Sequence, residues 1–395
     1  MYDVVVVGGG PIGSYTAGRL AEMGHSVLVL EKKSRAGQSV CCTGIVGLEC
    51  VNTFNIEDRL ILQKVNSASL FPPSGKPLLI RREEPQACIL DRVAFDIAMA
   101  ERAQEAGAEY LVNSRVTDIS VTKEGVTVRV SGSDKNTEVQ SKAAVIATGF
   151  APSLLQRLGL GTYGDFTVGA QAEIETTGIE NVEVYFGDMA PGFFAWIVPT
   201  TPPLARVGLL MRKTPGTYLR KWLKQLENEG KITTDKAELS YGVIPLKPLP
   251  RTYSERLIAV GDAAGQVKPT SGGGIYYGLL SAAIAAETLQ RALEDGDLSA
   301  RRMARYERGW KKKLGRELTV GYWARRIFER LSEKQIDRIF EIVKSGNIDE
   351  AMLKARDLSF DWHSKTIIRL LKYQMVARTM KIIKMPFRSS RVDRL

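Results

Sequence analysis

A short β-branched run, Tyr2 to Val7, leads straight into Gly8-Gly9-Gly10-Pro11-Ile12-Gly13, and this junction constrains the chain more than any other stretch. The run reads as a fully buried strand. Gly8, Gly10 and Gly13 then fall at the spacing G-x-G-x-x-G, followed by a small and apolar helical stretch, Ser14 to Met23. A second strand, Ser26 to Leu30, closes in Glu31. Gly8 suits the tight turn out of the strand, Gly10 a close approach of backbone to a pyrophosphate, and Gly13 close packing of helix on sheet. The helix N-terminus offers unpaired N–H groups and a positive dipole end to phosphates. Glu31 is placed to accept hydrogen bonds from ribose hydroxyls. A bare G-x-G-x-x-G also suits a glycine-rich turn in an unrelated α/β domain. Flanked by strand, helix and acid it reads as a dinucleotide site. A carboxylate at that position repels a 2′-phosphate, which favours FAD or NAD over NADP.

With 395 residues the chain has room for two or three domains. Four cysteines without framework spacing fit a reducing compartment. The buried strand starts at Tyr2, so no signal peptide is expected. Only two histidines are present, His25 in a turn and His363 in a charged tail, which argues against a histidine metal site or a Ser-His triad. No metal is expected. The net charge of +11 is concentrated at one end: residues 300–395 hold 25 Lys and Arg against 11 Asp and Glu. No nucleic-acid motif accompanies that basic excess, so nucleic acid is not an expected partner.

Farther along, Lys64 to Ile89 breaks into short apolar pieces around Pro72-Pro73 and Gly75, the pattern of strands and a hairpin. A helix follows from Asp91 to Gly107, then a β-rich stretch ending in the buried strand Ala143 to Ala147. From Gly164 to about Pro245 the chain looks like a separate sheet-rich layer interrupted by one helix near Lys213 to Gly230. Two uncharged runs, Met189 to Ala205 and Pro269 to Ala286, are broken by prolines or glycines and read as buried segments rather than membrane spans.

Three further segments, taken with the first, resemble the FAD-containing reductases and hydroxylases of the p-hydroxybenzoate hydroxylase superfamily. Leu257 to Ala264 looks like the superfamily's second FAD motif, with Asp262 as its aspartate; Pro269-Thr270-Ser271-Gly272-Gly273-Gly274-Ile275 opens a helix toward the flavin; Leu90-Asp91-Arg92 resembles the segment whose arginine reaches the cofactor. The hydroxylases usually carry G-x-G-x-N after the proline, and an Asp-Gly pair where this chain has Thr148-Gly149. The Gly272-Gly273-Gly274-Ile275 form, Cys42-Thr43-Gly44 and Pro191-Gly192-Phe193-Phe194-Ala195-Trp196-Ile197-Val198-Pro199 resemble the geranylgeranyl reductase family.

That resemblance implies an α/β (α+β two-domain) fold: a Rossmann-like FAD-binding domain in three parts (1–63, 90–163, 251–299), an inserted antiparallel-sheet substrate domain (164–250) with a hairpin (64–89), and a basic helical C-terminal region (300–395). It implies FAD held by Gly8, Gly10, Ile12, Gly13, Glu31, Cys41, Cys42, Gly44, Arg92, Val116, Asp262, Gly274 and Ile275. The family's single cysteine matches Cys41 or Cys42, and the C-x-G spacing favours Cys42. Either is a candidate catalytic residue, with a small packing residue against the flavin as the alternative. Phe193, Phe194, Trp196 and Gly272 are candidates for the wall of an apolar substrate tunnel, the alternative being ordinary sheet core.

The activity implied is saturation of C=C bonds in prenyl chains of lipids such as digeranylgeranylglycerophospholipid, by hydride transfer from reduced flavin. An FAD monooxygenase acting on an aromatic or lipid, and an electron-transfer flavoprotein without its own substrate chemistry, remain open alternatives. No second G-x-G-x-x-G is present, so the electron donor is NAD(P)H docking transiently, a ferredoxin or another carrier. Between His363 and Pro386, Ile367, Ile368, Leu371, Met375 and Ile383 fall largely on one helical face and Lys365, Arg369, Lys372 and Lys381 elsewhere. A basic amphipathic helix of this kind suits an anionic lipid surface, or docking on its own domain. The expected location is cytoplasmic, peripheral at the inner face of the membrane.

Overall fold

The computed structural model describes residues 1–132, 136–346, 350 and 359–372. Its first sheet is built around Tyr2–Val7, which lies parallel between Asn136–Ile146 and Val27–Leu30. Leu257–Ala259 extends the parallel core on one side and Glu109–Leu111 on the other. The four valines of the first strand show why it must be central. Val4 and Val6 point into one buried cluster with Leu20, Phe95 and Leu279, while Val5 and Val7 point into a second with Val128 and Leu155. A strand alternates its side chains between faces, so an all-valine run needs cover on both. Helices Pro11–Glu22, Arg92–Glu105 and Ile275–Glu294 supply it on one side; the antiparallel strands Arg115–Val121 and Val126–Ser131 contribute to it on the other.

The second sheet has seven strands, in the order Ser240–Pro245, Phe166–Glu175, Leu204–Met211, Ala195–Pro199, Val182–Tyr185, Ser67–Phe71 and Leu78–Arg81. All its pairings are antiparallel except Val182–Tyr185 with Ser67–Phe71, where two distant parts of the chain meet in parallel. One face is sealed by helix Pro215–Asn228, whose Leu219, Trp222, Leu223 and Leu226 pack on Ile174, Ile197, Val207 and Leu209. The residues between them, Trp196, Val198 and Leu210, face the other way. That second face looks toward the first sheet, with Tyr322 packed against its cluster.

A small third sheet, Ile45–Gly47, Ala87–Leu90 and Ile61–Val65, joins the two halves. Arg206 of the seven-stranded sheet ties the joint, donating from Nη1 to the carbonyls of Thr43 (2.8 Å) and Leu90 (3.1 Å). The long helix Ala300–Phe328 packs behind Ile275–Glu294, and the chain then returns as Ser359 to Ser364. The helix Ser364–Lys372 docks against Ala300–Phe328. The expected amphipathic stretch His363 to Pro386 therefore falls within the described residues only as far as Lys372; Met375, Lys381 and Ile383 lie outside them. Among the described residues no helix is long and apolar enough to cross a membrane.

Candidate functional site

This second face of the seven-stranded sheet and the glycine turns of the first sheet line one cavity of about 750 Å³. The first turn has little slack. Gly8 sits at φ +109°, and a Cβ there would lie 2.4 Å from the Ala147 carbonyl oxygen; a Cβ on Gly13 would lie 2.0 Å from the Gly8 carbonyl oxygen. Gly10 is the opposite case: a Cβ on it would meet nothing within 4 Å, so its free face is the cavity itself. Gly10 caps helix Pro11–Glu22 with no side-chain hydrogen bond to the first turn. Glu31 reaches under this turn, accepting from the N–H groups of Gly9 (2.7 Å) and Lys33 (2.9 Å).

The second turn, Gly261–Ala264, meets the first through Ile12, whose side chain rests against Gly261 and Gly278. Asp262 follows at the cavity wall, and a Cβ on Gly274 would come within 2.6 Å of its carboxylate oxygen. Gly274 in turn caps helix Ile275–Glu294, again without a side-chain partner. Two helix N-termini with uncapped N–H groups thus open on the same space.

Arg92 lies between the turns, buried, with Nη2 bonded to Asp96 at 2.6 Å and Nε left without a partner. Burial opposes its charge, and the hydrogen-bonded Asp96 carboxylate, with the Cys42 sulfur beside it, favours that charge, so its pKa is raised. An unsatisfied guanidinium nitrogen, two uncapped helix ends and a glycine with an open face form a donor set for phosphates and ring carbonyls, and this fits a flavin dinucleotide.

Burial pushes the Asp262 carboxyl up to about 6, against the pull of Arg92. A carboxyl whose folded pKa exceeds its unfolded value holds its proton longer in the folded chain. Stability of the cofactor-free protein is therefore lost as pH rises from about 4 to 6. Asp262→Asn is expected to abolish this loss: urea unfolding of the cofactor-free proteins at pH 4 and pH 7 should show the variant gaining on the parent at the higher pH. A pH-independent difference would contradict the buried carboxylate.

Of the expected cofactor residues, Gly8, Gly10, Ile12, Glu31, Cys41, Cys42, Arg92, Asp262, Gly274 and Ile275 line this cavity. Gly13 lies beneath the turn and Gly44 backs the wall at φ +76°, where a Cβ would strike the Leu90 carbonyl oxygen at 2.6 Å. Val116 is off the wall: it pairs with Val130 in the antiparallel layer and packs on the second core cluster. Phe194, Trp196 and Gly272 line the cavity, but Phe193 does not. Phe193 lies in the turn before strand Ala195–Pro199 and is buried in the same cluster as Trp196 and Val198, where the Arg212 and Arg325 guanidinium carbons sit 5.3 and 3.9 Å from its ring centre.

The two cysteines part company. Cys41 lies by Gly242 and Ser240 of the sheet, its thiol pushed up by burial against the hydrogen bond from Ser240. Cys42 lies by Arg92, and its Sγ accepts from the Gly44 N–H at 3.4 Å.

Several wall residues carry no local signal in the sequence. Lys268 forms a buried ion pair with Asp361 at 2.7 Å, and both line the cavity beside Phe360. The returning segment is further held by Tyr277, whose hydroxyl donates to the Asp361 carbonyl (3.0 Å), and by Trp362, whose Nε1 donates to Glu49 (2.6 Å). His363 is enclosed rather than displayed on a charged tail: its ring bonds Thr270 and the Phe360 carbonyl, and burial lowers its pKa to about 4. Among the described residues no group of His, Cys, Asp and Glu could hold a metal.

A family model described as pyridine nucleotide-disulphide oxidoreductase matches residues 2–183. Digeranylgeranylglycerophospholipid reductase 2 of Methanothermobacter thermautotrophicus is 30% identical over 97% of this chain and 99% of its own length. The corresponding reductase of Methanocaldococcus jannaschii is 31% identical over 86% of this chain and 90% of its own. Among solved structures, a geranylgeranyl bacteriochlorophyll reductase-like protein from Thermoplasma acidophilum superposes with TM-score 0.85 at 25% identity, covering 96% of this chain and 98% of that one. The FAD complex of a halogenase PltM variant shares the fold, with TM-score 0.69 at 17% identity over 96% of this chain and 94% of its own.

Proposed function

The chain belongs to the digeranylgeranylglycerophospholipid reductase family, and from that premise we propose that it uses FAD to saturate C=C bonds in the geranylgeranyl chains of glycerophospholipids. The observation that carries this reading is a single cavity running from the two glycine turns to an apolar sheet face bearing Phe194, Trp196, Val198 and Leu210. Bound and reduced, FAD supplies a hydride equivalent, and the second hydrogen must arrive as a proton.

The chain's own residues divide the remaining work. The uncapped N–H groups above Gly10 and Gly274 would hold the pyrophosphate and the ring carbonyls, and Glu31 and Asp262 would take ribose and ribityl hydroxyls. The sheet face excludes water from an alkene that has no carbonyl to polarise it. Cys42 holds a proton at Sγ, and the thiolate left after transfer faces the Arg92 guanidinium. Replacing Cys42 by Ala is expected to lower kcat about a hundredfold or more at unchanged FAD content. Full turnover in that variant would remove the thiol from the reaction.

Electrons reach the site from NAD(P)H, a ferredoxin or another carrier. The basic C-terminal region supports peripheral contact with an anionic cytoplasmic membrane leaflet, since Arg301, Arg305, Arg308, Lys312, Lys313 and Arg316 are exposed along Ala300–Phe328. The deciding experiment incubates dithionite-reduced holoprotein with digeranylgeranylglycerophospholipid under anaerobic conditions. The expected result is reoxidised flavin and a lipid heavier by two hydrogens per double bond. Flavin that stays reduced beside unchanged lipid would overturn the reading.

A further inference from the structure

The cavity has two chemically different ends. Its wall follows the strand rows of the seven-stranded sheet: Gly242 pairs with Gly169, which pairs with Leu210, and Trp196 pairs with Val184, which pairs with Leu70. In the adjacent row Val182 pairs with Ala68, which pairs with Ile80 on the last strand. Seven strands spaced roughly 4.8 Å apart make a wall on the order of 29 Å wide. On the first strand of the sheet, Ile244 touches the glycine turn, where a Cβ on Gly272 would lie 2.9 Å from its Cδ1. That end belongs to the cofactor.

At the opposite edge the apolar wall stops at Ile80. Two residues on, and so on the same face, Arg82 lines the cavity together with Asn66 and Gln86. Arg82 is positioned from both sides: its N–H donates to the Asn66 carbonyl (2.9 Å), and its Nη1 donates to Gln86 Oε1 (2.6 Å). The Gln86 amide is anchored in turn on the carbonyls of Glu84 and Pro85 (2.9 and 3.0 Å). Glu83 and Glu84 follow Arg82 in the chain, yet among the described residues no carboxylate pairs with its guanidinium. A half-buried guanidinium held by neutral partners keeps its remaining N–H donors available for an anion.

We propose that Arg82, oriented by Gln86, binds the phosphate of the phospholipid substrate, so that the glycerophosphate rests at the edge of the sheet while the prenyl chain lies along the wall toward the glycine turns. This rests on the reading that the cavity takes a prenyl phospholipid. It adds that the site measures the chain from a fixed charged end. A planar guanidinium suits a phosphate through paired N–H···O bonds, which a lysine cannot reproduce.

The test measures equilibrium binding to FAD-loaded protein of digeranylgeranylglyceryl phosphate and of uncharged digeranylgeranylglycerol, for the parent chain, Arg82→Met and Arg82→Lys. The parent is expected to prefer the phosphate lipid, and Arg82→Met to lose roughly ten- to hundredfold of its affinity for that lipid alone. Arg82→Lys should recover part of the preference. Excess inorganic phosphate should compete weakly against the phosphate lipid and leave the uncharged lipid bound; complete displacement of both would mean a general anion effect and would overturn the proposal. Equal losses for the two lipids in Arg82→Met, or none for either, would also overturn it. Because binding is read without turnover, retained binding in an inactive protein would count against the proposed reaction and not against the headgroup site.

Discussion

Gly10→Glu is expected to purify as a folded, colourless protein. The backbone at Gly10, with φ −73° and ψ 176°, is one that any residue adopts, and a Cβ there meets no atom within 4 Å. The substitution therefore leaves the fold unstrained. It fills the space where backbone must approach the pyrophosphate, and it sets a carboxylate against that group at the end of helix Pro11–Glu22. Like charge and lost approach act together, so FAD affinity should fall at least a hundredfold, a cost of about 3 kcal/mol or more. Bound-flavin absorbance and thermal unfolding of the cofactor-free protein check the two halves. A yellow variant would mean that the cofactor does not lie on this turn. Gly13→Val makes a useful contrast, because the Gly8 carbonyl blocks a Cβ there and the fold itself should suffer.

The second large effect concerns the pair that closes the cavity from the C-terminal side. Lys268→Met leaves the Asp361 carboxylate buried beside Gly47 with its cation gone. Breaking a buried pair from one side costs about 3–5 kcal/mol, because the remaining charge has lost both water and partner. Urea unfolding should show that loss. The double variant Lys268→Met, Asp361→Asn should regain more than half of it, since no uncompensated charge remains. A loss below about 1 kcal/mol in the single variant would place the pair in the range of solvated surface bridges.

The same pair illustrates the limits of local sequence patterns. Lys268 precedes Pro269 in a stretch that reads as the approach to a glycine turn, and Asp361 stands in a strongly basic region far along the chain. Neither position has a period or a spacing that connects it to the other. Only the docking of Ser359 to Ser364 onto the helix Ile275–Glu294 brings them within 2.7 Å. Phe193 teaches a related lesson. It belongs to an aromatic run whose neighbours Phe194 and Trp196 do face the cavity, but the chain turns at Gly192, φ +72°, and sends Phe193 into the core beneath Arg325. The aromatic run and the family resemblance picked out the right segment and could not choose its faces. Val116 entered through the family resemblance alone, and its strand pairs with Val126–Ser131 in the antiparallel cover of the first sheet, off the cavity wall.

What the sequence determined by itself is what short-range physics dictates. A run of β-branched residues between glycines becomes a buried strand, and a G-x-G-x-x-G turn can form only where those glycines lack Cβ atoms. Those constraints operate within a few residues and survive in any fold that contains them. Tertiary structure alone decided which face of each strand meets the cavity, which of the two cysteines stands beside Arg92, and that a segment near the far end of the chain supplies part of the wall. Such choices depend on contacts between residues hundreds of positions apart, and they are fixed by the burial of apolar surface and the pairing of buried charge when the two sheets close on each other.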